Sequence, residues 1–323
     1  MDRKEPLLLK RIGKMRNPAS VEEYIGLGGF AAITKAVNMS KEDILQEVDD
    51  ANLRGRGGAA YPAGRKWRHL YGVDETPKYI VCNADEGEPG TFKDKMLLGQ
   101  DPLSVIEGML IAGYLFDSHE GFIYIRGEYR AIQAVFQEAI DAATKAGYLG
   151  SGIMGIKGFD YTITIVSGAG AYVCGENSAL LNSVEGKTGR PRVKPPHLAE
   201  VGLYLKPTLV NNVESFACIP AILTMGGKAF LAMGAEDGGG TKLVSISGHG
   251  KIAASTKYRW GRLFMTSCTR RSTAAGPPRA SRSSSCTWVG SRALSRFRSS
   301  STGCTATKAS GIRIWRWVRA RSS

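Results

Sequence analysis

A chain of 323 residues, 43% hydrophobic and 22% charged, is long enough to bury a sizeable core and reads as two domains or one large domain with additions. Its net charge of +14 invites a nucleic-acid or membrane reading, but 16 of its 43 basic residues and none of its 29 acidic ones fall in residues 251–323. The preceding 250 residues hold 27 basic against 29 acidic, and this near-neutral body, with no recognition motif, argues against nucleic-acid binding. In chain order, residues 1–50 read as a helical, surface-lying N-terminal segment, with capping signals at Ser20-Val-Glu-Glu and Ser40-Lys-Glu-Asp. Residues 53–68 read as a glycine-rich basic loop, and Tyr79-Ile-Val-Cys as a short buried strand. A helix is predicted over 102–116, a strand over 121–126, a helix over 129–146, a strand over 161–166 and a helix near 179–184. Leu243 opens another strand.

The most apolar stretch, residues 105–116, contains Glu107 and is too short to span a bilayer, so a buried helix and no membrane insertion are expected. Six cysteines without a C-x-x-C pair, and no secretory leader, point to a reduced, cytoplasmic protein. Strands alternating with helices predict an α/β fold with a largely parallel sheet, whose ligands sit at the carboxyl ends of the strands.

Five motifs carry candidate chemistry. Gly55-Arg56-Gly57-Gly58-Ala59-Ala60 can bring backbone N–H groups to a phosphate, with Arg56 and Lys66 supplying charge; without a strand directly before it, it is a weak dinucleotide fingerprint. Asn83-Ala84-Asp85-Glu86-Gly87-Glu88 follows a strand, and three carboxylates so close together repel unless they meet donors such as a ring N–H or a ribose hydroxyl. With no histidine nearby, a metal site is not expected there. Gly168-Ala-Gly-Ala-Tyr-Val-Cys174-Gly175-Glu176-Asn177 is a strand–turn–helix passage offering a helix N-terminus, in which Cys174 reads as a packed small residue. Gly186-Lys-Thr echoes a phosphate loop, but the required upstream glycine is Leu181, which leaves a proline-rich loop with four basic residues ending at His197. Asn211-Asn212 can read a ring edge or simply cap a helix.

In this order the motifs make the chain resemble the NADH-binding flavoprotein subunit of respiratory complex I, with relatives in NAD(P)-linked hydrogenases and formate dehydrogenases, over roughly residues 20–249. The resemblance implies a Rossmann-like FMN-binding domain over residues 51–240 and the first strand of a ubiquitin-like domain over 241–250. It implies that Gly55, Arg56, Gly57 and Lys66 hold the flavin phosphate side and ring, and that Asn83, Asp85 and Glu86 contact the flavin. Gly175, Glu176, Asn211 and Asn212 complete the pocket, and Glu88 lies near flavin and nicotinamide as the catalytic carboxylate. Tyr61, His69 and His197 stand where the family stacks aromatics on the adenine, and Lys194 lies near the nucleotide. Asn177 replaces a usual glutamate near the adenosine ribose, so discrimination against NADPH should relax. The implied activity is hydride transfer from NADH, or NADPH, to FMN, with electrons passing to a thioredoxin-like [2Fe–2S] partner and an iron–sulfur subunit of a larger oxidoreductase. Such an assembly can sit peripherally on the inner face of the cell membrane.

The family continues with cysteine ligands of a [4Fe–4S] cluster. Cys268, Cys286 and Cys304, evenly spaced, do not match that pattern. Residues 251–323 are rich in Arg, Ser and Trp and show no helical or strand period, so they read as a non-native-looking, disordered tail. Permissible codons for 257–276, 285–297 and 311–323, read from the third base, yield three coherent segments in one frame. That places a frameshift near Gly250-Lys251. The alternative reading is therefore a truncated, electron-dead product that binds at most FMN.

Overall fold

The computed structural model describes residues 7–235 and 237–248 and, beyond them, the strand segments 254–259, 285–290, 293–298, 304–309 and 312–317. The chain opens with three helices, α1 (Val21–Gly26), α2 (Ala31–Ala36) and α3 (Lys41–Asp50). Ser20 and Ser40 cap α1 and α3 through their hydroxyls, which accept Glu23 N and Asp43 N at 3.2 and 3.1 Å, as their sequence signals predict. Each helix buries one face, with Tyr24, Ile33, Ile44, Leu45 and Val48 fully buried, and exposes the other.

The segment 53–68 is not loop throughout. At Pro62 it turns into α4 (Ala63–Tyr71), where Trp67 and Leu70, three residues apart, bury one face. Strand β1 (Tyr79–Ala84) follows, then α5 (Lys93–Gln100), α6 (Pro102–Phe116), β2 (Glu120–Ile125), α7 (Arg130–Lys145), β3 (Thr162–Ser167), α8 (Asn177–Val184), β4 (Thr208–Asn212), α9 (Val213–Met225) and α10 (Gly227–Ala232). Helix α6 is buried nearly all round. It lies directly on α9, since a Cβ on Gly108 would fall 2.1 Å from Phe216 O. Among the described residues no helix is long and apolar enough to cross a membrane.

The four strands form one parallel sheet in the order β3-β2-β1-β4. The chain winds outward from β1 through β2 to β3, then returns to place β4 on the opposite side of β1. The winding direction therefore reverses between β1 and β4, the place where a parallel sheet of this kind leaves a crevice at the carboxyl ends of its strands. Strand β4 is not predicted from sequence: only three apolar-compatible residues precede its two amides. Asn212 does cap a helix, accepting Glu214 N at 3.0 Å.

Beyond the sheet, β5 (Thr241–Gly248) is the strand expected at Leu243. It pairs antiparallel with β6 (Ala254–Arg259) and β7 (Ser285–Gly290), which pairs with β8 (Ala293–Arg298). Strands β9 (Cys304–Ala309) and β10 (Ile312–Trp317) form a separate antiparallel pair. Within residues 251–323 these five segments are extended strands. The rest of that stretch lies outside the described residues.

Candidate functional site

The sequence motifs meet at the β1/β4 crevice. Asn83 pairs in register with Asn212, and Cys82 with Asn211. Asn83 Nδ2 donates to Gly175 O (3.0 Å) and to Asn177 Oδ1 (3.1 Å), tying the end of β1 to the start of α8. Asn212 Nδ2 donates to Asp94 Oδ2 at 2.7 Å. Gly57 packs on Asn212: a Cβ there would meet Asn212 Cβ at 3.1 Å, so a side chain would press on Asn212. Asn211 has its oxygen accepting Trp67 Nε1 at 2.9 Å and its nitrogen donating to Val210 O at 3.1 Å.

Asp85 stands at the exit of β1 with one carboxylate oxygen, Oδ2, buried and without a hydrogen-bond partner among the described residues. Burial raises its pKa to about 6, with Glu128 adding to the rise and Arg126 opposing it. An orphan acceptor of this kind is costly unless a ligand donor completes it.

Positive charge faces the same region from α4 and from the loop after α8. Lys66 Nζ donates to Val210 O at 2.8 Å. Burial, and then the nearby Lys194 charge, lower its pKa to about 8. Lys194 Nζ pairs with Glu176 Oε1 at 2.9 Å. Glu176 in turn caps α8, its other oxygen accepting Ser178 N and Ala179 N. Burial works to raise the Glu176 pKa, but these bonds and Lys194 hold it below the usual value. Of the other basic residues on the proline-rich loop, Lys187 and Arg192 both pair with Glu185, which braces the loop.

Glu88 accepts the Tyr172 hydroxyl at 2.7 Å, and Tyr172 also packs on Gly87, where a Cβ would meet its ring at 3.0 Å. His69 and His197 meet edge to face, with ring centroids 5.6 Å apart. Glu200 holds both: its Oε1 lies 3.1 Å from His69 Nε2, and its Oε2 accepts His197 N at 3.1 Å. Tyr61 is 53% exposed, and its backbone oxygen accepts Gly55 N at 2.9 Å, closing the glycine loop.

Two of the expected contact residues are engaged within the fold. The Arg56 guanidinium is fully buried, donating to Gly239 O at 2.8 Å and lying near Glu214. It is thus engaged inside the fold. Glu86 is also buried: its two carboxylate oxygens accept Asp94 N and Lys95 N at 2.9 and 3.0 Å, anchoring the start of α5. Burial raises its pKa to about 7, Asp94 reinforcing the shift.

Sequence reasoning missed Tyr172, Glu200 and Arg126. Arg126 donates to Glu86 O at 2.5 Å and ends the stretch beginning at β2. Its place just past the carboxyl end of a parallel strand is the signal that points to it.

A family model described as the Nuo51 FMN-binding domain matches residues 48–221. An NADH-quinone oxidoreductase subunit from Aquifex aeolicus is 48% identical over 242 residues, covering 75% of this chain and 56% of that protein. The NAD-reducing hydrogenase HoxS subunit alpha of Cupriavidus necator is 44% identical over 223 residues, or 69% of this chain and 37% of that one. A crystal structure of an NAD+-reducing [NiFe]-hydrogenase in the H2-reduced state matches with a TM-score of 0.68 and 34% identity, over 82% of this chain and 43% of that one. The chain spans about half the length of the first curated relatives it matches.

Proposed function

The chain belongs to the Nuo51 FMN-binding domain family, and on that footing we propose that it is a flavoprotein subunit that oxidises NADH and delivers the electrons to iron–sulfur clusters of a larger oxidoreductase. The observation that carries this reading is the buried Asp85 Oδ2, without a hydrogen-bond partner among the described residues and 3.8 Å from where a Cβ on Gly175 would stand, together with the positive charge of Lys66 and Lys194 near β4 and the start of α8. A flavin matches that set, with an N–H donor on its ring and an anionic phosphate on its tail. Flavin mononucleotide, when bound, supplies a two-electron acceptor for hydride.

The protein's own residues then bind and orient. Asp85, Asn83 and Asn212 face the ring edge with an acceptor and two amides. Gly55 and Gly57 let backbone approach the ligand, Asn211 supports them through Trp67, and Lys66 attracts the phosphate. Gly175 and Glu176 shape the wall opposite. Glu88 offers a carboxylate kept in one orientation by the Tyr172 hydroxyl. His69, His197 and Tyr61 supply faces for the adenine, Lys194 attracts the pyrophosphate, and Asn177 places a neutral amide where a carboxylate would repel a 2′-phosphate. NADPH is then a second substrate. The partners in this reading are a thioredoxin-like [2Fe–2S] subunit and a further iron–sulfur subunit, in a complex lying against the inner face of the membrane.

The test is titration of the purified chain with FMN, followed anaerobically by NADH. Binding near one FMN per chain, with bleaching of the flavin's visible absorbance on NADH addition, is expected. An FMN-loaded chain that NADH does not bleach would refute the oxidation step.

A further inference from the structure

Beneath the crevice lies a buried charge cluster that the proposed reaction does not use. Its centre is Glu214, the second residue of α9, which is fully buried. Glu214 Oε1 accepts the backbone N–H of Leu243 in β5 at 2.7 Å and lies 3.8 Å from Arg56 Nε. Its Oε2 lies 3.1 Å from Lys93 Nζ. Lys93 Nζ also donates to Asp94 Oδ1 at 2.6 Å and to Asn212 Oδ1 at 3.2 Å, and Asn212 Nδ2 closes the circuit onto Asp94. Two more bonds join β5 to the same region: Phe92 N donates to Ser245 Oγ at 3.0 Å, and Lys242 Nζ to Arg56 O at 3.5 Å.

One carboxylate is thus shared among three parts of the molecule. It holds the β5 backbone directly, the glycine loop through Arg56, and Asn212 through Lys93. Buried charges of this kind tolerate loss of a partner poorly, so the cluster is either assembled or broken, with little between. Burial works to raise the Glu214 pKa, yet Lys93, Lys242 and Arg56 keep it below the usual value, consistent with an assembled, ionised state.

We infer that Glu214 is a positioning residue: docking of β5 on its carboxylate sets Asn212 and the glycine loop in the arrangement that takes flavin. Flavin binding and β5 docking then strengthen each other, as linkage requires. The inference rests on the reading that this crevice binds FMN.

The experiment uses the full 323-residue chain and a double-mutant cycle in FMN affinity, read by flavin fluorescence. Glu214→Gln keeps an acceptor for Leu243 N and removes the charge. It should weaken FMN binding about tenfold or more, and combination with Asn212→Ala should weaken it no further than the worse single variant. In the wild type, saturating FMN should slow hydrogen exchange at the Leu243 amide, which Glu214 holds from the side of β5. Additive losses, or unchanged affinity in Glu214→Gln, overturn the coupling. If Glu214→Gln does not fold, the wild-type exchange measurement decides: slowing supports the inference and unchanged exchange overturns it. A wild type that binds no FMN overturns the flavin reading and this inference with it, whereas binding without these effects overturns the coupling alone.

Discussion

Asp85 sets stability against function within one side chain. Its carboxyl has a pKa of about 6 in the fold against an ordinary 3.8. A raised carboxyl favours the folded chain in its protonated form, so that contribution is present below pH 4 and fades as pH rises through 6. Asp85→Asn should therefore stabilise the ligand-free protein at pH 7 by about 1–2 kcal/mol, after allowance for partial exposure, and leave it little changed at pH 4. The same variant should release FMN, and thermal melts at the two pH values with flavin analysis check both halves. Lys66 gives the opposite pH signature. With a pKa of about 8, it carries its charge below that value, so FMN affinity should fall as pH rises through 8, and Lys66→Met should flatten that profile. Asn177→Glu should raise the NADH over NADPH ratio of kcat/KM; equal ratios in the two proteins would remove Asn177 from the selectivity argument. The family resemblance marked Arg56 and Glu86 as ligand contacts. Both also have partners within the fold, because a guanidinium and a carboxylate serve an internal partner as well as they serve a ligand.

At the scale of elements, Glu107 shows how one polar residue in an apolar helix can organise its neighbours. From α6 it accepts Tyr24 Oη at 2.6 Å and the N–H groups of Phe30, Ala32 and Ile33 at the start of α2. Glu107→Ala leaves three backbone donors buried without an acceptor and should cost about 3 kcal/mol or more. Urea melts should show this as a lower midpoint, with FMN affinity of the folded fraction unchanged. In the sequence Glu107 signals only that the helix is unsuited to a bilayer; its partners lie more than 70 positions away. Capping at Ser20 and Ser40 is legible because donor and acceptor are three residues apart. Helix α4 is concealed for the converse reason: its glycine and basic residues suit a phosphate loop equally well, and only burial of Trp67 and Leu70 makes it helical.

For the whole molecule, the contrast between a near-neutral body and an acid-free stretch from residue 251 onward is a property of the sequence. We propose that residues 251–323 are encoded in a shifted frame, and resequencing the source DNA across the codons for 241–323 tests it. A missing or extra base near Gly250-Lys251 is expected, and an intact frame would sink the idea. The alternation of strands and helices, the order of the glycine, acidic and amide motifs, and the family they resemble were all determined by the sequence itself, since each depends on residues close together in the chain. Only the tertiary structure decided that the sheet reverses between β1 and β4, bringing Asn83, Asp85, Lys66, Asn177 and Asn212 to one crevice. It likewise decided that Arg56 and Glu86 face inward and that Glu214 joins β5 to the glycine loop. Those outcomes depend on which distant groups share a buried volume, and desolvation there obliges each charge to find a partner that local spacing does not reveal.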